Sequence, residues 1–399
     1  MKKVLLITFA LVTSTFAFSQ MADSVATSNS VQDVFYNLND GQQTNLDRTS
    51  WDIAFTTKGF DVSIVINENQ GVSLYKYSSD TSDWNSVDTN GFNYAANQLF
   101  NSNEDWSLGA FCNMGVSHPD YGWGVYTSSN HHVYGSKIFI IKTLSETYQI
   151  MIKELTVGGE FKFKIATIGG GSTKHLSVNK NLYSSKGFFY YDLGTEMVLD
   201  AEPVKNQWHL LFTKFHAADQ SNYLVSGVKI NQGLEVAERS GVSVLDNDTN
   251  GLNWNSNITE IGYDWKTFNL GTFSYDITSD LSYFVKNDSG DVWKIWFTAY
   301  GGGQYNFNTE KIGHNASITN PSALDARVYP NPSQGLLFID NKETERATVE
   351  ILNMQAQVIQ SFTVGAQGTT ETHLDLPSGI YFLKISAGFK SYSQRLIIE

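Results

Sequence analysis

The sequence predicts an all-β protein built as two related β-units followed by a small β-sandwich. Three observations carry that reading. Aromatic residues make up 14% of the 399 residues and charged residues only 17%, with 32 Gly against 6 Pro. This balance favours turn-rich sheets over helical bundles. Next, the stretch Trp51-Asp52-Ile53-Ala54-Phe55-Thr56 returns as Trp208-His209-Leu210-Leu211-Phe212-Thr213, and the segments around it return in the same order. Side chains alternate along a strand, so Trp51, Ile53 and Phe55 are expected on one face, as are Trp208, Leu210 and Phe212. Finally, the last fifth of the chain carries short alternating strands at regular spacing, as a small sandwich does.

Taken in order, Met1-Lys2-Lys3 and the apolar run to Phe18, with Ala17 and Ser19 before the cut, read as a signal peptide over residues 1–19. No later segment reaches the ~20 apolar residues of a membrane span, so none is expected in the mature protein. Residues 20–34 are small and polar and read as a flexible lead-in. The first unit spans 35–168. It holds Phe35-Tyr36-Asn37-Leu38, the Trp51 strand, Ile64-Val65-Ile66-Asn67, the Asp88-Thr89-Asn90-Gly91 loop, Ile138-Phe139-Ile140-Ile141, Tyr148 to Ile152 and Glu160 to Phe163. A Gly-rich linker is expected over 169–187. The second unit, 188–310, repeats these features as Phe189-Tyr190-Tyr191, the Trp208 strand, Val228-Lys229-Ile230-Asn231, Asp248-Thr249-Asn250-Gly251, Tyr283-Phe284-Val285, Trp293 to Phe297 and Gln304 to Phe307. The first copy has extra sequence from Asn97 to Val116. A linker over 311–325 precedes the tail, 326–399.

The net charge of −13 excludes a nucleic-acid footprint, which is basic. The single cysteine, Cys112, excludes an intramolecular disulfide and lies too far along to be a lipidated N-terminus. No nucleophile elbow, His-Glu-X-X-His helix or phosphate loop is present, so the chain reads as a binding protein and not an enzyme. Asp246-Asn247-Asp248-Thr249-Asn250-Gly251 offers oxygens at alternate positions and makes Asp246, Asp248 and Asn250 candidate calcium ligands, against the alternative of plain Asx-turns. Trp84, Trp106, Trp123 and Trp254 lie near loops where they could stack on sugars or on a porphyrin.

The tail, through Tyr329-Pro330-Asn331-Pro332, Ile351-Leu352-Asn353, Gly379-Ile380-Tyr381 and Leu396-Ile397-Ile398, resembles the type A C-terminal sorting domain of the type IX secretion system. That resemblance implies an immunoglobulin-like sandwich. It also implies export by the Sec translocon and then the type IX machinery, to the outer-membrane surface or the medium. The two units, through Trp51 to Phe55, Trp208 to Phe215, Tyr283 to Lys286 and Trp293 to Phe297, are similar to the HmuY family of secreted haem-binding proteins. This implies haem or a related apolar ligand. Axial ligands to haem iron are His or Met, and the candidates are His131, His132, His209 and His216. A surface glycan-binding or adhesive module without haem is the alternative.

Overall fold

A computed structural model describes residues 21–399 apart from Ser30, Ser117 and residues 218–219, 315–321, 354–357 and 388–389. The predicted signal peptide and the middle of the second linker lie outside the described residues. The chain is all-β and divides into two compact units, Met1–Asn315 and Ala316–Glu399.

The first unit is two pseudo-equivalent halves, each a sandwich of one large and one small antiparallel sheet. In the first half the large sheet runs Lys174–Asn179, Glu160–Thr167, Thr147–Leu155, Ile138–Lys142, Ser73–Ser78 and Gln98–Leu99. The small sheet runs Met197–Leu199, Phe188–Asp192, Ile53–Thr56 and Ile64–Ile66. In the second half the large sheet runs Met21–Ala26, Gln304–His314, Asp291–Gly301, Ser282–Lys286 and Glu235–Arg239, and the small one Gln43–Asp47, Gln32–Tyr36, Leu210–Ala217 and Gln220–Ile230. Strict alternation decides which side chains enter each core. Phe161, Phe163 and Ile165 point inward to meet Phe55 and Phe189, while Lys162 and Lys164 point out. Tyr305 and Phe307 do the same against Tyr36 and Phe212.

The two halves exchange their opening segments. Strand Met21–Ala26 pairs with Gln304–His314, the last strand of the unit, and Gln32–Tyr36 pairs with Leu210–Ala217. Reciprocally, Lys174–Asn179 pairs with Glu160–Thr167, and Phe188–Asp192 pairs with Ile53–Thr56. The residues read as a flexible lead-in and as a Gly-rich linker therefore contain sheet strands. Each is an edge strand that turns a single side chain fully inward, Val25 at 0% and Val178 at 7% exposure. A sequence with one apolar anchor among polar neighbours looks aperiodic although its backbone is fully paired.

The small sheets also meet each other through their second faces. Phe35, Trp51, Ala54, Tyr190, Trp208 and Leu211 form a separate cluster there. Trp51 and Trp208 belong to this joint and not to the cores that hold Ile53 with Phe55 and Leu210 with Phe212. Each Trp stands just before its strand, where a short 3-10 turn ends, so the strand alternation does not extend to it. Trp208 packs edge-on against Phe35 and Trp51 against Tyr190, both at 4.9 Å between centroids. The exchanged strands are thus clamped by the repeated tryptophans. Asn67 and Asn231 brace both turns alike, each donating to two carbonyls: Arg48 and Trp51, Lys205 and Trp208.

The extra sequence of the first copy bridges the halves. Asn101 pairs both backbone groups of Ile66, closing a strand edge. Trp106 donates its indole N–H to Ile230 O of the other half, and Asn103 O accepts from Thr259. Gly109 lies so close to this edge that a Cβ would stand 2.2 Å from Ile64 O. Cys112 is buried beside it, and burial pushes its thiol up to about 12. Thiolate is the reacting form, so a thiol reagent should label Cys112 in urea and leave the native protein unlabelled within minutes.

The second unit packs Ala326–Tyr329, Leu336–Asn341 and Gly368–His373 over a five-stranded sheet that includes Gly379–Ala387 and Lys390–Ile398. Leu337, Ile339, Val349, Ile351, Leu383, Ile385 and Leu396 fill its core. Asn331 of the Tyr-Pro-Asn-Pro motif accepts from Ile397 N–H at 2.9 Å and donates to Arg395 O at 2.7 Å, so the motif fastens the final strand.

Candidate functional site

The sequence candidates for haem do not converge. His131 and His132 lie at the turn and start of the hairpin Gly124–Thr127/His132–Gly135, with His131 in the left-handed region at φ 59°. The Nδ1 of His131 bonds Tyr126 OH at 2.5 Å and the Nδ1 of His132 meets Glu154 at 2.6 Å, so the two rings face different partners. His209 is 5% exposed, and its Nδ1 accepts the Leu38 backbone N–H at 3.1 Å. Burial pushes its pKa down to about 4, which keeps the ring neutral. At the equivalent place in the other half, Asp52 accepts the Leu193 N–H at 2.8 Å. The substitution of His for Asp between copies thus preserves a job, capping the end of the exchanged strand. His216 stacks edge-on against Phe100. It follows His209 by seven residues along one strand, about 23 Å away. Among the described residues no group of three His, Cys, Asp or Glu side chains is placed to hold a metal ion.

The candidate calcium loop is already filled by cations of the protein itself. Arg239 pairs with the Asp246 carboxylate at 2.9 Å, while Lys294 donates to Asp246 O at 2.7 Å and to Asn247 Oδ1 at 3.0 Å. Asp248 Oδ1 accepts from the N–H of Asn250, an Asx-turn. The named tryptophans are largely structural as well. Trp123 is fully buried with its N–H on Val62 O, Trp84 donates to Thr173, and Trp106 spans the halves. Lys286 covers Trp254 at 4.5 Å.

What the fold does assemble is an aromatic cleft on the second half. The hairpin Lys266–Asn269/Ser274–Ile277 stands beside Asp291–Gly301 and Gln220–Ile230, and between them Tyr223, Tyr263, Phe268, Tyr275 and Tyr300 line a space of about 630 Å³. That size lies within the usual range of small-ligand sites. Tyr223 is 60% and Phe268 45% exposed. Phe268 packs against Tyr275 at 5.1 Å, and Tyr275 against Tyr300 at 4.9 Å, in edge-to-face pairs that fix the ring orientations. Tyr300 in turn leans on the buried Trp265 and Tyr305. Beneath them Lys266 donates to Ser226 O at 2.5 Å and to Tyr263 O at 3.3 Å. Burial brings its pKa down to about 7. Sequence reasoning missed this site because its rings come from four separate segments joined only by strand register. The density of aromatics from Tyr263 to Tyr275 was the available signal.

Residues 327–399 match the family described as the secretion system C-terminal sorting domain. The match does not reach the body of the chain, and no curated protein matches it. Among solved structures, Escherichia coli alpha-2-macroglobulin activated by porcine elastase aligns at 8% identity with a TM-score of 0.11. The alignment covers 95% of this chain and 44% of that one, so the chain spans less than half of that structure, and the likeness is too slight to carry an argument. No helix of the described residues is long and apolar enough to cross a membrane. The tail is decisive on destination: residues 327–399 are a type IX secretion C-terminal sorting domain, and the protein that carries it is secreted or held at the cell surface.

Proposed function

We propose that the body of this exported protein is a glycan-binding module and not an enzyme, with the aromatic cleft of its second half as the binding site. The observation that carries the reading is the partly exposed row of Phe268, Tyr275 and Tyr300, held by edge-to-face packing, with the exposed Tyr223 lining the same space. Sugars present an apolar C–H face and a rim of hydroxyls. Tyrosines answer both, with a ring to stack on and a phenol to hydrogen-bond. Haem capture, which the resemblance of the two units implies, has less support, because its candidate histidines do not converge and His131, His132 and His209 are engaged elsewhere, although the buried Nδ1 of His216 has no partner.

Affinity electrophoresis of the mature protein through gels containing bacterial or host polysaccharides tests the proposal. Retardation is expected, and Phe268→Ala with Tyr275→Ala should weaken it about tenfold or more, ~1.4 kcal/mol. A double variant that migrates like the wild type removes the cleft from the argument. A saturable Soret shift on adding hemin, without retention on any polysaccharide, would favour haem instead.

A further inference from the structure

The joint between the two halves encloses a second cavity, of about 70 Å³, walled by Phe35, Trp51, Trp106, Phe188 and Trp208. Two lysines line this aromatic space, Lys214 and the more deeply buried Lys229. Lys229 is 6% exposed, and among the described residues it makes no hydrogen bond and no ion pair within 4 Å. Its equivalent in the first half is Val65: Lys229 pairs across the strands with Leu211 as Val65 does with Ala54. The fold therefore does not need a lysine there, and the rings of Trp106 and Phe215, 5.2 and 5.1 Å from its ammonium, offset part of the cost of burying it but accept no ordinary hydrogen bond. Other polar atoms lining the same cavity are also unsatisfied. Asn69 Oδ1 and the Trp51 indole N–H have no partner, and the Trp208 N–H faces Glu202 without closing a hydrogen bond.

The charges around Lys229 set the sign of what would fit. Asp33 is spent on Arg48 at 2.7 Å. Asp105 and Lys214 reach solvent. Glu68 accepts the Asn101 N–H and Glu202 accepts the N–H groups of Gly187 and Phe188. When both of these carboxyls are protonated, neither balances Lys229, whose own pKa burial lowers. We propose that the cavity is a ligand site for a small carboxylate, whose oxygens take the Lys229 ammonium and whose short apolar end lies against Trp106 and Phe188. The volume fits a few waters or an anion of a few heavy atoms and excludes a sugar ring or a porphyrin. This site is separate from the aromatic cleft and does not rest on the glycan reading.

The test is a titration of the full mature protein with sodium propionate, against sodium chloride at matched ionic strength, followed by tryptophan fluorescence and calorimetry. Trp51, Trp106 and Trp208 line the cavity and supply the optical signal. Burial holds Glu68 and Glu202 up to about 7, so binding should be tighter near pH 6 than near pH 8. Lys229→Met should lose about tenfold or more in affinity. Glu68→Gln keeps the lysine and removes a competing carboxylate, so it should tighten binding near pH 8 and change little near pH 6. Chloride giving the same response as propionate, an unaltered affinity in a folded Lys229→Met protein, or a Glu68→Gln protein no tighter near pH 8 would each overturn the proposal.

Discussion

Deleting residues 21–47 should unfold the second half of the body while leaving the first half folded. This segment supplies one edge of the large sheet and two strands of the small one, pairing with residues up to 309. It also supplies core: Val25, Val34, Tyr36 and Leu38 are all 5% exposed or less and sit in the second half's cluster. Without it, strands Leu210–Ala217 and Gln304–His314 each lose a neighbour and expose unpaired backbone. A single change probes the same dependence. Tyr36 lies edge-on to Phe212 at 6.0 Å and Phe307 at 5.3 Å, and its hydroxyl bonds Asp23. Tyr36→Ala should cost about 3–5 kcal/mol, the usual range for a buried aromatic. That is a large share of the ~5–15 kcal/mol that keeps a domain folded. Limited proteolysis read by mass spectrometry is the direct assay. Cuts should appear within residues 205–314 of the truncated protein, with residues 53–192 protected. Equal protection of both halves would mean that the exchanged strands are dispensable.

The pH dependence of stability should change when His209 is replaced. Its pKa in the folded protein is held near 4, against 6.5 in the unfolded chain. The unfolded state therefore binds the proton more readily, and stability is lost as pH falls from about 6.5 towards 4. The full shift corresponds to roughly 3 kcal/mol at most. His209→Asn retains an acceptor for the Leu38 N–H and has nothing to titrate. It should be less stable than the wild type at pH 7, having lost the ring packed 4.7 Å from Trp293, and the gap should narrow or reverse towards pH 4. Asp52 works with the opposite sign. Burial raises it to about 6, so its contribution is present in acid and lost as pH rises through that value. Urea unfolding of both proteins across this range is the measurement. Parallel curves would show that His209 does not stay neutral in the fold.

The strand content and the Tyr329 motif were legible because alternation and turn residues are local signals. Pairing was not. Periodicity tells which side of a strand is buried and never against what, so the Phe35 and Phe189 segments were assigned to their own copies when each completes the other. Trp51 and Trp208 were rightly singled out as anchors, but on the wrong face, because the turn before each strand interrupts the alternation. His209, which stands where the first copy has Asp52, was a haem-ligand candidate in sequence. In space the two side chains perform one structural task with different chemistry. Lys229 was equally visible as the odd residue opposite Val65, yet only the meeting of the two small sheets puts it in an aromatic cavity.

The exchange of opening strands also bears on how far either copy could stand by itself. One copy of the repeat made alone could fold its first strands back onto its own sheets, because the strands they pair with here have equivalents in both copies. Two such chains could instead donate those strands reciprocally, the geometry of a domain-swapped homodimer. The present chain holds that swapped geometry within one covalent chain, so each half depends on the other for its opening strands while only one carries the bridging loop and only the other the aromatic cleft.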